Sequence, residues 1–293
     1  MKSNREWQYW GTQDPLYGVI TRPSTEAASD DAWTPASFFE QGESAFAAVV
    51  HQWAQYGMGT RTDVPRFGSC IEIGCGAGRM TRQLLRHFDK VVAIDVAEGQ
   101  INKAQEFLAQ GFFGERDARS RIDFHLVEHP GIPVADGTSA GMFSFEVFQH
   151  LSDFSGVVRY LELTYAKLKP GATTCFHVPV IGAHELSMRR VAYFYARRVA
   201  IGFRRQWGSP RLMDYRVAVP TEVLRACRRI GFHDVEMRVF PTDPDGEMFS
   251  FFFARKPTDI RLCSCGHDLD SQHCGIHFCY QCNCRRPFGA EIG

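Results

Sequence analysis

The stretch "IEIGCGAGRMT", residues 71–81, places three glycines within five positions directly after a β-branched run. Glycine has no Cβ, so such a loop lets a ligand approach the backbone closely. The dinucleotide-binding fingerprint G-x-G-x-x-G would require a glycine at position 79, where the chain has Arg79. The chain instead carries an acid-x-G-x-G-x-G pattern, formed by Glu72, Gly74, Gly76 and Gly78. This pattern argues against a pyrophosphate-binding loop.

Two carboxylates accompany the glycine loop and indicate what it could bind. A pyrophosphate needs amide donors and no adjacent carboxylate, whereas S-adenosylmethionine (SAM) brings an ammonium group and a sulfonium cation, which suit Glu72. The helix that starts near Gly78 can offer N–H groups to the ligand carboxylate. Asp95 ends the next predicted strand, where it can accept hydrogen bonds from both ribose hydroxyls. Alternatively, the loop is an ordinary strand-to-helix turn and Asp95 caps the next helix.

Apolar, β-rich runs alternate with helical patterns along most of the chain, which predicts a largely parallel sheet covered on both faces. The last two strands, joined by the turn-rich "PTDPDGE", predict an antiparallel hairpin. Gly171 in "KPGA" (169–172) is expected to end the preceding helix. Strands are predicted at 69–74, 91–96, 122–128, 141–147, 173–180, 235–240 and 249–256, and helices at 78–87, 97–110, 153–168 and 220–230.

On the glycine loop and both acids, residues 69–151 resemble the SAM-binding half of a class I methyltransferase. The resemblance implies a Rossmann-like α/β fold with a seven-stranded, mostly parallel sheet and a closing antiparallel hairpin. It also implies that Glu72 and the glycines form the first motif and that Asp95 binds the ribose. The acid that meets the adenine amine would be Glu128, beside His129. Further expected cofactor contacts are Cys75, as a small packing residue rather than a nucleophile, Val96 and Phe145.

The sequence departs from the family at the fourth strand, where the usual Phe-Asp pair falls on Ser139 and Ala140. The leader "WQYWGTQDPLYGVIT" (7–21) and "MDYRVAVPTEVLRACRRIGF" (213–232) are similar to the corresponding parts of a group of small-molecule methyltransferases. The resemblance therefore implies a methyltransferase domain over residues 1–257, with residues 1–60 covering the cofactor site. The implied reaction is methyl transfer from SAM to an O or N atom of a small molecule, in specialised metabolism.

A general base is needed only when the acceptor must lose a proton. His150 and His177 are the candidates, since both lie near strand ends on the side where class I substrates bind. His150 could instead be a structural or cofactor-pocket residue, and His177 a hydrogen-bonded histidine of the sheet. Glu146 is a weaker third candidate.

Residues 182–219 form an insertion with eight arginines against two acidic residues, interleaved with aromatic side chains. One interpretation is a helical lid whose aromatics cover the acceptor and whose arginines bind a carboxylate, a phosphate or an acidic carrier protein. The other is an amphipathic helix with a solvated basic face. Because the whole chain has a formal net charge of zero, nucleic acid is not an expected partner.

The tail, residues 258–293, is a separate object, because six of the ten cysteines lie within 263–284. Thiolates and imidazoles at this density are typical of a zinc site, and "HCGIHFCYQC" resembles half of the zinc modules of some ubiquitin-ligase domains. A structural zinc, a partner-binding tail and a zinc that activates a thiol acceptor are the alternatives. The first-choice ligands are Cys263, Cys265, Cys279 and Cys282, with Cys274, His277, Cys284, His267 and His273 as alternates.

No apolar stretch approaches the roughly 20 residues that span a bilayer, and "MKSNREWQYW" lacks the apolar core of a signal peptide. A cytoplasmic protein without a membrane partner is therefore expected. Two function classes remain: a small-molecule methyltransferase, and a non-catalytic or protein-directed SAM-fold module whose zinc tail binds a partner.

Overall fold

A computed structural model describes residues 2–20, 33–57, 68–114, 117–127, 130–180, 216–242 and 248–258, and the backbone of 270–273, 276–278 and 285–287. The chain divides into two compact units, Met1–Lys256 and Pro257–Gly293. The predicted lid lies outside the described residues except for 216–219.

The described part of the first unit contains helices and strands in alternation. The helices are α1 (Lys2–Gln13), α2 (Pro15–Val19), α3 (Pro35–Tyr56), α4 (Arg79–Leu84), α5 (Glu98–Ala109), α6 (Ala118–Arg121), α7 (Phe154–Lys167) and α8 (Pro220–Ile230), with a 3-10 turn at Phe148–His150. The strands are β1 (Ser69–Ile73), β2 (Lys90–Asp95), β3 (Ile122–Leu126), β4 (Ser139–Ser144), β5 (Leu168–His177), β6 (His233–Pro241) and β7 (Met248–Arg255).

The seven strands form one sheet in the order β3-β2-β1-β4-β5-β7-β6. Strands β1 to β5 pair in parallel, whereas β7 is antiparallel to both β5 and β6. The predicted mostly parallel sheet with a closing hairpin is therefore confirmed. Parallel pairing brings the carboxyl ends of β1, β2, β4 and β5 to one edge, which is where ligands bind in open α/β sheets.

Both faces of the sheet are buried, which explains the continuous apolar runs of its strands. In β2, Val91 and Ala93 pack into the apolar layer that contains Trp53 of α3. The neighbouring Val92 and Ile94 pack into the opposite layer, which contains Leu161 of α7. Helices thus cover the sheet on both sides.

The predicted helix stop at Gly171 is wrong. Helix α7 ends at Lys167, and Leu168 already has extended dihedral angles (φ −70°, ψ 143°). The "KPGA" stretch lies inside β5, because a residue before proline, here Lys169, avoids helical angles. Gly171 does adopt a left-handed φ of 79°, and its N–H donates to the Lys256 carbonyl at 2.9 Å.

The described part of the tail is a small antiparallel sheet in the order β10-β9-β8, made of β8 (Asp270–His273), β9 (Ile276–Phe278) and β10 (Arg285–Pro287). Of the nine candidate zinc ligands, His273 and His277 are described by their backbone alone. The others lie outside the described residues: Cys263, Cys265, His267, Cys274, Cys279, Cys282 and Cys284.

Among the described residues, no group of three or more His, Cys, Asp or Glu side chains is arranged to hold a metal ion. Within the same residues, no helix combines the length and the apolar character needed to cross a bilayer.

Candidate cofactor and active site

The glycine loop is a tight bend that joins the end of β1 to the start of α4. The N–H groups of Gly74 and Cys75 both donate to the Ile94 carbonyl of β2, at 2.8 and 3.0 Å. Gly74, Gly76 and Gly78 have φ values of 76°, 53° and 89°, the left-handed region that favours glycine. The bend is thereby fixed at the carboxyl edge of the two central strands.

Each of these glycines also makes room for another part of the protein. A Cβ on Gly74 would lie 2.2 Å from Val147 Cγ2, one on Gly76 would lie 2.6 Å from Val19 Cγ2, and one on Gly78 would lie 2.6 Å from Phe113 Cζ. The sequence interpretation ascribed the missing side chains to the ligand. The structure adds that the protein's own packing requires them.

Asp95, the last residue of β2, is oriented by the backbone on both of its oxygens. Gly76 N–H donates to Oδ2 at 2.8 Å, and Ala97 N–H donates to Oδ1 at 2.9 Å. Val96 N–H adds a third backbone hydrogen bond to this carboxylate, which leaves one of its roughly four acceptor positions for a further donor. Burial raises the pKa of Asp95, and the backbone hydrogen bonds oppose that rise. The capping interpretation of Asp95 is wrong, since Ala97 is the N-cap residue of α5 and no side chain caps it.

Glu72 of β1 is buried and accepts a hydrogen bond from Thr81 Oγ1 at 2.6 Å. Burial raises the pKa of Glu72 to about 8, the Thr81 hydrogen bond lowers it, and the nearby Asp95 carboxylate raises it further. Arg79 also lowers the pKa of Glu72, but burial is the largest effect. A cationic ligand bound at this bend would stabilise the charged forms of both carboxyl groups.

Cys75 is buried and interacts electrostatically with both carboxylates. Burial, Asp95 and Glu72 all raise the pKa of its thiol well above the ordinary value. A thiol that keeps its proton is a poor nucleophile, which favours the packing interpretation of this residue.

Helices α1 and α2, here termed the leader helices, pack against the same bend. Gln8 Nε2 donates to the Val96 carbonyl at 2.7 Å, and Glu98 N–H donates to Gln8 Oε1 at 3.2 Å. Where α1 crosses α5, a Cβ on Gly99 would come within 2.2 Å of the Gly11 carbonyl oxygen, so only glycine fits this crossing. The leader helices therefore dock on the loop between β2 and α5, which includes the predicted cofactor contact Val96.

A half-buried ion pair joins α4 to the residues that follow β4. Arg79 Nη2 lies 3.2 Å from Glu146 Oε2, Arg79 Nη1 donates to Gln41 Oε1, and the guanidinium lies 5.6 Å from the centre of the Phe145 ring. Glu146 has a φ of 57°, an uncommon value for a residue with a side chain. Phe145, a predicted cofactor contact, stacks on Phe251 at 5.3 Å between ring centres.

His177, the last residue of β5, is buried among Phe145, Phe249 and Phe251, with ring centres 5.3 to 5.6 Å away. Burial, and to a smaller extent His150, lowers the pKa of His177 to about 3. Its Nδ1 has no hydrogen-bond partner within the described part of the chain. Among the described residues, the hydrogen bond expected of a sheet histidine is therefore not found at this nitrogen.

His150 lies in the 3-10 turn that follows β4. Its Nε2 is 3.2 Å from Gln149 Nε2, and its ring packs edge-on against Trp7 of α1 at 4.7 Å. Glu128 and His129, the expected adenine contacts, lie outside the described residues.

Sequence reasoning missed Gln100 and the role of Arg79. Both are charged or polar side chains buried beside the bend. For Gln100 a signal existed, because it lies next to the apolar stripe of α5 formed by Ile101, Ala104 and Phe107.

Residues 70–171 match the family model of a methyltransferase domain. No curated protein matches the chain. Two solved structures whose names mention SAM are similar in fold to this chain. Phosphoethanolamine N-methyltransferase 2 of Haemonchus contortus, in complex with SAM, is 17% identical with a TM-score of 0.52, and the match covers 76% of this chain and 57% of that one. A SAM-dependent methyltransferase of Methanosarcina mazei is 17% identical with a TM-score of 0.51, covering 68% and 96%.

A third similar structure has a different reaction in its name. It is the 4+2 cyclase SpnF, 14% identical with a TM-score of 0.52, and the match covers 88% of this chain and 97% of that one. Likeness at these identities shows the fold, and a fold does not fix a reaction. The first unit therefore has the Rossmann-like methyltransferase fold, and its residues 70–171 are similar to a methyltransferase domain.

Proposed function

We propose that the chain is a SAM-dependent methyltransferase that transfers a methyl group to an O or N atom of a small molecule, in specialised metabolism. The observation that supports this most is the pair of carboxylates, Glu72 and Asp95, at one left-handed glycine bend. SAM fits this set because its ammonium suits a carboxylate and a ribose hydroxyl suits the acceptor position that Asp95 keeps open.

Bound SAM would supply a methyl group on an already activated sulfonium. The residues then have to orient the acceptor and exclude water. With a pKa of about 3, His177 stays neutral at neutral pH, and its Nδ1, which has no partner among the described residues, can orient the acceptor by a hydrogen bond. So low a pKa makes His177 a weak general base, which leaves His150 as the candidate where an acceptor loses a proton. The basic insertion at 182–219 would favour an acidic acceptor.

Calorimetric titration of the purified full chain with SAM tests the proposal, and saturable one-to-one binding is the expected result. Extracts incubated with the enzyme and isotopically labelled SAM should then yield one product that gains the label, detected by mass spectrometry. Absence of SAM binding would contradict the proposal that the chain is a SAM-dependent enzyme. Tight binding without transfer to any acceptor would support the second candidate, a partner-directed module, which the separate Cys/His-rich tail favours.

The tail is proposed to bind zinc structurally, because a segment this short has little core and metal binding would supply its folding energy. Elemental analysis of the full chain should find zinc, and a Cys279→Ser/Cys282→Ser variant should lose it while still binding SAM. Zinc retained in that variant would rule out this ligand pair.

A further inference from the structure

Gln100 lies in the first turn of α5 and is buried, with 2% of its surface exposed. Its Nε2 donates to the Pro15 carbonyl of α2 at 2.9 Å. A carbonyl can only accept, so this contact fixes which end of the side-chain amide is nitrogen and which is oxygen. The direction of Oε1 is therefore determined.

That oxygen has no hydrogen-bond partner in the part of the chain that the structure describes. It lies 3.8 Å from the position that a Cβ on Gly76 would occupy, so it faces the glycine bend. The N–H of the same glycine is bonded to Asp95. A buried acceptor without a donor is costly and needs an explanation.

We propose that Gln100 is a further cofactor-binding residue, whose Oε1 accepts a hydrogen bond from a donor of the bound sulfur nucleoside. This inference rests on the proposed function. The donor is a ribose hydroxyl or the ammonium group, the O–H and N–H groups that belong at this bend. Because Nε2 of the same amide holds α2, Gln100 also ties the leader helices to the occupied site.

The test compares Gln100→Met with Gln83→Met in the full chain. Gln83 of α4 is the matched control, since it is equally buried and its Nε2 also has no partner among the described residues. Loss of one hydrogen bond should raise the calorimetric Kd for S-adenosylhomocysteine by about tenfold in Gln100→Met, against roughly twofold or less in Gln83→Met.

Adenosine, which has the ribose but no ammonium, identifies the donor. A parallel loss of adenosine affinity in Gln100→Met assigns the contact to the ribose, and a loss confined to S-adenosylhomocysteine assigns it to the ammonium. Both results support the inference.

Two failures are distinguishable. If the wild-type chain binds no nucleoside, the proposed function falls; if it binds and Gln100→Met binds equally well, the inference alone is overturned. Circular dichroism checks folding, and Gln100→Glu, which keeps an oxygen at this position, is the second variant. Both variants lose the Nε2 hydrogen bond to Pro15, so binding by folded Gln100→Glu that is clearly tighter than by Gln100→Met supports a role for the oxygen, and equally weak binding by both assigns the loss to the Pro15 contact and overturns the inference.

Discussion

Replacing Gly76 by valine is expected to abolish SAM binding, raising the Kd by at least about 100-fold, or about 2.7 kcal/mol. Gly76 has a φ of 53°, which a β-branched residue rarely adopts. The new Cβ would stand 2.6 Å from Val19 Cγ2, so either the bend or α2 must move. Movement of the bend would break the Gly76 N–H bond that orients Asp95. Calorimetry with S-adenosylhomocysteine measures the loss.

Gly111→Val is the matched control for this change. Gly111 has a φ of 81°, but a Cβ there would meet no atom within 4 Å. Both variants bear backbone strain, and only Gly76→Val also meets the leader helices. Gly111→Val should keep its SAM affinity, and both variants should keep their zinc content. An equal loss of SAM binding in Gly111→Val would mean that strain alone explains the effect, and loss of zinc in Gly76→Val would contradict a separate tail.

The sheet could be predicted because strands that are buried on both faces of a sheet consist of continuous apolar runs. The β2 run of Val91 to Ile94 is an example, and each predicted strand is present. The predicted ends of the strands are less accurate where the backbone preferences of single residues, such as proline, outweigh the apolar pattern. Strand β5 starts five residues before the predicted Thr173, because Pro170 disfavours helix in a stretch that carries few apolar residues.

The acids of the site could be predicted because their chemistry follows from their place directly on β1 and β2. The contacts of Gln100 and of the Arg79–Glu146 pair could not be predicted, since they join segments far apart in sequence; for Gln100 the apolar stripe of α5 indicates burial alone. In the sequence, Arg79 is visible only as the residue that breaks the dinucleotide pattern. In the fold it is buried, and it links Gln41 of α3 to Glu146 after β4.

Replacing Glu72 by glutamine is expected to weaken SAM binding about 10- to 100-fold, the usual value of a hydrogen bond to a charged group. Without ligand, the same change should stabilise the protein at alkaline pH. The folded-state pKa of Glu72 is about 8, above its ordinary 4.5, so the folded protein binds this proton more tightly than the unfolded chain. The stability contributed by the protonated carboxyl is complete below pH 4.5 and is lost as the pH rises through about 8.

Glutamine does not titrate, so Glu72→Gln escapes that loss, and its Tm without ligand should exceed that of the wild type at pH 9 by more than at pH 5. Asp95 and Arg79 are common to both proteins, so the change in the Tm difference isolates Glu72. Glu43→Gln is the control, because Glu43 is exposed and its pKa is lowered by a hydrogen bond from Arg86. It should leave SAM binding unchanged and give no gain at pH 9. A Tm difference for Glu72→Gln that is equal at both pH values would show that burial does not raise the pKa of this carboxyl, and the bend would then hold no costly carboxylate for a sulfonium nucleoside to stabilise.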